Sequence, residues 1–427
     1  MNYELNTLEN GLRIVTIPMR ERMSSAVGIW VRTGSRFETK KASGISHLLE
    51  HMLFKGTRRR TTQQIKQEIE GDGGHLNAYT SEESTCYFAK LLREHYGKAL
   101  DVLSDMVNEA TLSAGELEKE RGVILEEIKM YRDQPAHYVH ELMGTLLWPD
   151  QALGRPISGS VESVSGIRQS DLCGYRNRYY QPRNILVAVS GGVHPEDVQD
   201  RVAAIFSGKS PGTAASFAKA VNAQAQPRTH FLNKETEQTH FVIGLHGLSR
   251  LSPQRYPLSL MNVILGANMS SRLFEEVREK RGLAYEIRSG LHFYQDTGAL
   301  TVSAGVETKK APMAMAVILR ELAKLCRKPV TDKELRRAKD YFISQLFMAL
   351  EDTLEHLLWV GEYALSRQEV PDTDKIRGKV EAVTASEIQE IARHVFRTQK
   401  LNLALIGPVS EKIQKQIKNG LEIPHGA

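Results

Sequence analysis

Two stretches of this 427-residue chain return at an offset close to 217 residues, and that repetition narrows the possible folds sharply. Glu116-Leu-Glu-Lys-Glu-Arg121 is echoed by Glu334-Leu-Arg-Arg-Ala-Lys339, and the apolar run Asn184-Ile-Leu-Val-Ala-Val-Ser-Gly-Gly-Val193 by Leu401-Asn-Leu-Ala-Leu-Ile-Gly-Pro-Val409. Duplication of one unit is the simplest source of such a pattern. The length agrees, since a chain of this size suits two cores of about 200 residues each better than one. Residues 207–228 are small, polar and aperiodic, which marks a linker. The expected organisation is therefore α+β, with a domain over 1–206, the linker, and a second domain over 229–427. Each domain is expected to be a mostly antiparallel sheet packed with helices. In the first half, strands are expected over 1–20 as a hairpin, 25–34, 76–92 as a pair, and 184–193. Helices are expected over 61–70, 95–110, 114–133, 137–148, 163–180 and 194–206.

One further helix carries the chemistry. In Ser43-Gly-Ile-Ser-His-Leu-Leu-Glu-His-Met-Leu-Phe-Lys-Gly56, the residues Ile45, Leu48, Leu49, Met52 and Leu53 recur at the spacing of a buried helical face. Ser43 is the expected N-cap and Gly56 the expected stop. At about 100° per residue, His47 and His51 fall about 40° apart on successive turns, with Glu50 between them in angle. Two imidazoles at i, i+4 can grip a divalent metal, and a carboxylate beside its water can take the proton. This is the His-Glu-x-x-His arrangement of zinc proteases in reverse order. A catalytic zinc site needs a third protein ligand. The helix over 114–133 offers two: Glu120 and Glu127 lie about 20° apart along the border of its apolar stripe. Periodicity does not choose between them. The helix over 256–265, which corresponds to the histidine helix in the second half, has no His or Glu, so only the first half can hold such a site.

Taken together, these motifs resemble the zinc site of the pitrilysin, insulin-degrading enzyme and mitochondrial processing peptidase family. The resemblance implies one zinc ion per chain held by His47, His51 and Glu127, with Glu50 as general base and Glu120 as a supporting carboxylate. Gly73-Gly-His-Leu-Asn-Ala-Tyr-Thr80 resembles the family's substrate-binding edge strand, which gives Asn77, Ala78 and Tyr79 a role in holding peptide. Read from its residues alone, the same stretch is equally an inner strand. Arg278-Glu-Lys-Arg-Gly-Leu-Ala-Tyr285 resembles the family's distal pair, with Arg278 and Tyr285 on the substrate carbonyl. The family encloses a chamber with four such domains and this chain has two. The resemblance thus implies a homodimer in which Arg278 and Tyr285 of one subunit face the zinc of the other. The implied activity is that of a zinc metalloendopeptidase cleaving unfolded peptides or presequence-like segments. Two alternatives stand beside it: a non-catalytic structural subunit, as in the core proteins of the respiratory bc1 complex, and the active subunit of a heterodimer.

Composition removes other classes. With 56 basic and 51 acidic residues the net charge is +5, too balanced for a nucleic-acid binder. No run approaches the roughly 18 apolar residues that span a bilayer. The first twenty residues lack the apolar core of a secretion signal, so the expected location is cytoplasmic. Cys86, Cys173 and Cys326 show no paired spacing, as befits a reducing compartment, and Cys86 falls in an expected strand as a small buried residue. The basic cluster Lys55-Gly-Thr-Arg-Arg-Arg60 reads as a solvated face, with contact to phosphate or an acidic partner as the alternative.

Overall fold

The computed structural model describes residues 3–424. Six strands form the first sheet: β1 (Glu4–Thr7), β2 (Arg13–Pro18), β3 (Ser24–Val31), β4 (His75–Thr80), β5 (Thr85–Leu92) and β6 (Ile185–Gly191), in the order β1-β2-β6-β3-β5-β4. Five form the second: β7 (Arg228–Asn233), β8 (Thr239–Gly247), β9 (Ala284–Phe293), β10 (Gly298–Val306) and β11 (Asn402–Gly407), in the order β7-β11-β8-β10-β9. Apart from β1, the sheets correspond strand for strand. Each has one parallel pair, β2–β6 and β7–β11, among otherwise antiparallel neighbours. The apolar runs that revealed the duplication are β6 and β11. Both are buried along their whole length, as central strands covered on both faces must be.

The chain divides into two compact units that are not contiguous halves. The first gathers the chain up to Ile128 with Arg155–Ala218 and Phe347–Thr373; the second gathers Lys129–Gly154, Lys219–Leu346 and the chain from Asp374 onward. Two helices account for the difference from the division at 206 and 229. Helix Pro135–Leu147 buries Val139, Met143 and Leu147 against Val242 of β8 and Ala404 and Ile406 of β11. Helix Thr353–Arg367 buries Leu357, Val360 and Ala364 against Trp30, Leu186 and Ala188 of the first sheet. Gly28 and Gly361 make room for the Trp30 indole, since a Cβ on either would lie within 2.5 Å of it. An apolar helical face declares that it will be covered but not by which sheet. Residues 207–227 contain no helix or strand.

The helix expected over 163–180 is two, Val161–Gly166 and Gln169–Tyr179. Ile167 and Arg168 are extended between them, and the Asp171 carboxylate accepts the Arg168 N–H at 2.8 Å to start the second helix. Among the described residues no helix is long and apolar enough to cross a membrane.

The histidine helix runs Ile45–Leu53. Its N-cap is Gly44 rather than Ser43, at φ 92°, and a Cβ there would meet the Ser158 carbonyl oxygen at 2.6 Å. The cap is supplied from a distance by Glu38, whose carboxylate accepts the N–H groups of Gly44 at 2.7 Å and Ser46 at 2.8 Å. An anion at a helix N-terminus is favourable, yet burial wins here and pushes the Glu38 carboxyl up from 4.5 to about 7. The unfolded carboxyl loses its proton near 4.5 and the folded one near 7, so between those values the folded state holds more protons and stability falls as pH rises. Glu38→Gln removes that dependence. Denaturant unfolding at about pH 5 and pH 8 is expected to show the stability gap between wild type and variant narrowing by about 2–3 kcal/mol with rising pH. A gap that widens would contradict it.

Candidate metal centre

The histidine helix presents Ile45, Leu48, Leu49, Met52 and Leu53 to the core of the first unit. His47 and His51 therefore stand at the border of that face, half-buried, with ring centroids 4.7 Å apart. The second helix, Ala114–Asp133, buries Leu117, Glu120, Ile124 and Ile128 and brings Glu127 to the same border. Glu127 Oε2 lies 3.9 Å from His47 Nε2 and 3.9 Å from His51 Nε2. One ligand atom from each of the three residues lies within 4.8 Å of the other two. At 3.9 Å these atoms face one another beyond hydrogen-bond reach. The edges of a tetrahedral zinc site with these donors measure about 3.3–3.5 Å, so each of the two Glu127–histidine edges would shorten by about half an ångström on binding zinc. Two imidazole nitrogens and one carboxylate oxygen suit zinc in its catalytic form. Burial, helped by the neighbouring His51, lowers His47 from 6.5 to about 4 and so keeps it in the neutral form that binds metal.

Glu120 stands behind the trio, which separates the two glutamates that periodicity left equivalent. Its Oε2 is 3.1 Å from His51 Nδ1 and its Oε1 is 2.7 Å from Lys55 Nζ. A carboxylate on the far nitrogen of a ligating histidine fixes the tautomer and orientation of the ring. Among the described residues the buried Nδ1 of His47 has no hydrogen-bond partner.

Glu50, 9 % exposed, lies beside the trio. Its carboxylate accepts a hydrogen bond from Thr80 Oγ1 at 2.6 Å. Burial raises its pKa most strongly; the Thr80 bond and His51 oppose that rise, and Glu127 adds to it.

Strand β4, which carries Asn77, Ala78 and Tyr79, is the edge of the first sheet and pairs with β5 alone. Asn77 Oδ1 accepts the Ala78 N–H at 2.8 Å. The Tyr79 hydroxyl accepts from Trp30 Nε1 at 3.2 Å and donates to Glu362 Oε1 at 2.9 Å. That side chain is thus committed to the first sheet and the Thr353–Arg367 helix. Arg278 and Tyr285 belong to the second unit and meet each other. Arg278 lies in the short π-helix Phe274–Glu279, with its guanidinium 4.9 Å above the ring of Tyr285, the second residue of β9, which is 77 % exposed. Cys86 is fully buried in β5.

The basic cluster after the histidine helix is only partly a solvated face. Arg58 and Arg59 are exposed, but Arg60 is bound by Glu68 at 3.0 Å, Asp101 at 2.5 Å and the buried Asp105 at 2.9 Å, while Lys55 holds Glu120. Their partners are 8 to 65 positions away in sequence, beyond any local charge pattern. Lys55 did carry a signal, since it follows His51 by four residues, just past the end of the helix. Glu38 carried none.

Residues 13–161 match the family described as insulinase, peptidase family M16, and residues 166–342 match that described as the peptidase M16 inactive domain. Among similar proteins, one named uncharacterized zinc protease YmxG, from Bacillus subtilis, is 37% identical over 406 residues, covering 94% of this chain and 97% of its own length. Another, uncharacterized zinc protease SCO5738 from Streptomyces coelicolor, is 36% identical and covers 95% and 90%. A protease from Helicobacter pylori superposes with a TM-score of 0.89 at 22% identity over 95% of this chain and 99% of that one. A chain of complex III2 from Candida albicans does so with 0.85 at 17% over 98% and 100%. At those identities the two structures speak for the fold alone. The identity to the two zinc proteases across nearly the whole length, with the two family matches in order, shows that this chain belongs to the insulinase family of peptidases, family M16.

Proposed function

We propose that this protein is a zinc-dependent endopeptidase acting on unfolded peptides or presequence-like segments. The observation that carries the reading is one Glu127 oxygen standing 3.9 Å from both imidazole Nε2 atoms, with the Glu50 carboxylate beside them. Zinc held by His47, His51 and Glu127 would supply an acidified water and a Lewis acid for the scissile carbonyl. Glu50 takes the proton from the attacking water and returns it to the leaving amine, a task suited to a buried carboxylate whose pKa is raised. Glu120 and Lys55 hold the His51 ring in place. An extended peptide adds to the free edge of β4, where the main chain of Asn77, Ala78 and Tyr79 supplies affinity with little demand on sequence. Arg278 and Tyr285 of the partner subunit in a homodimer bind the carbonyl and steady the oxyanion. The presence of His47, Glu50, His51 and Glu127 together favours this reading over a non-catalytic subunit.

Cleavage of a random peptide mixture tests the activity: cutting is expected with zinc, is lost with chelator and returns on adding zinc. Mixing Glu50→Gln subunits with Arg278→Ala subunits tests the dimer, because a mixed dimer is expected to regain activity that neither parent has. A zinc-loaded protein that cuts nothing would overturn the proposal.

A further inference from the structure

Glu50 reaches its working position on three rotatable bonds from the middle of a helix, and something must hold it there. Among the hydrogen bonds of the described residues, its carboxylate receives one from a side chain, that of Thr80. At 2.6 Å this is a short bond with a charged acceptor, the stronger kind. The hydroxyl sits on a β-branched side chain with little rotational freedom. Its backbone is equally well fixed. Thr80 ends β4 in register with the fully buried Thr85, and the turn that follows is pinned, with Ser81 N–H on the Ser84 carbonyl at 2.8 Å. The Ser81 and Glu82 carbonyls in turn accept the N–H groups of Ser35 at 3.2 Å and Arg36 at 2.9 Å. Gly34 lies so close that a Cβ there would collide with the Ser81 oxygen at 2.1 Å. The strand end is secure without the Thr80 hydroxyl, which is therefore free to serve Glu50.

We infer that Thr80 is the positioning residue for the Glu50 carboxylate and that it couples the base to the strand on which peptide docks. This rests on the peptidase reading above. By donating to Oε2, Thr80 leaves Oε1 available to a water. Ala78 points to the same side of the strand two residues earlier, and its side chain packs on the core that carries the histidine helix. A peptide pairing along β4 would therefore lie on the same rigid strand that tethers the base.

The test compares Thr80→Val, which keeps the shape and loses the donor, with Thr80→Ser, which keeps the donor. Both are made in the full chain and loaded with zinc. Thr80→Val is expected to lower kcat about 10–100-fold with KM little changed, the scale seen when a supporting partner of a reacting group is lost. Thr80→Ser is expected to keep most of the kcat, and both variants to hold as much zinc as the wild type. Independently of turnover, crystal structures are expected to show the Glu50 carboxylate displaced in Thr80→Val and in place in Thr80→Ser. Wild-type kcat in Thr80→Val, a Thr80→Ser as slow as Thr80→Val, or a change confined to KM would each overturn the role of Thr80 while leaving the peptidase reading intact. A wild type that cleaves no peptide, or a fully active Glu50→Gln, overturns that reading and the role of Thr80 with it.

Discussion

Glu50→Gln will keep its zinc and lose about 10²–10⁴-fold in kcat, the usual worth of a positioned general base. The substitution preserves shape and can still accept from Thr80, so the hydrogen bond at 2.6 Å survives and the helix packing is undisturbed. What disappears is the ability to take a proton. Because Glu50 does not belong to the trio of ligand atoms, zinc content measured by elemental analysis is expected to match the wild type. Loss of both zinc and activity would place Glu50 among the ligands instead.

The second large effect separates the two glutamates of the Ala114–Asp133 helix. Glu127→Gln removes one of three ligands and its charge, and is expected to weaken zinc binding more than about 100-fold, beyond the 10–100-fold typical of outer partners. Glu120→Gln, which loosens only the His51 ring and strands the Lys55 ammonium, is expected to stay within that 10–100-fold range. Competition with a chelator of known affinity measures both. Equal losses would contradict the distinction drawn from the 3.9 Å and 3.1 Å contacts, and a larger loss in Glu120→Gln would mean that the two roles are reversed.

How much of this was visible in the sequence depends on how far apart the interacting residues lie. His47, Glu50 and His51 share one helix, so their convergence follows from helical geometry and the apolar spacing beside them. The duplication was equally legible, because β6 and β11 are continuous apolar strands at a constant offset. Glu120 and Glu127 could not be ranked by angle. What ranks them is the helix's placement, which buries Glu120 beneath the His51 ring and brings Glu127 to the front of it. Ser43 looked like the N-cap because it has the right side chain. The actual cap comes from Glu38, which folds back onto Gly44 and Ser46, and no local pattern encodes that. The same holds for the helices Pro135–Leu147 and Thr353–Arg367. The first was expected over 137–148 without its partner sheet and the second was not assigned; the second is matched to its sheet by shape, above all by the space that Gly28 and Gly361 leave for Trp30. Arg278 and Tyr285 were found only by resemblance, since a charged helix end followed by a strand tyrosine is common.

Anomalous diffraction at the zinc edge from crystals of the zinc-loaded protein addresses the metal site most directly. The expected result is one ion per chain touching His47 Nε2, His51 Nε2 and a Glu127 oxygen at about 2.0–2.2 Å. An ion bound by other residues, or zinc-saturated crystals with no ion between these three side chains, would contradict the proposed function at its foundation.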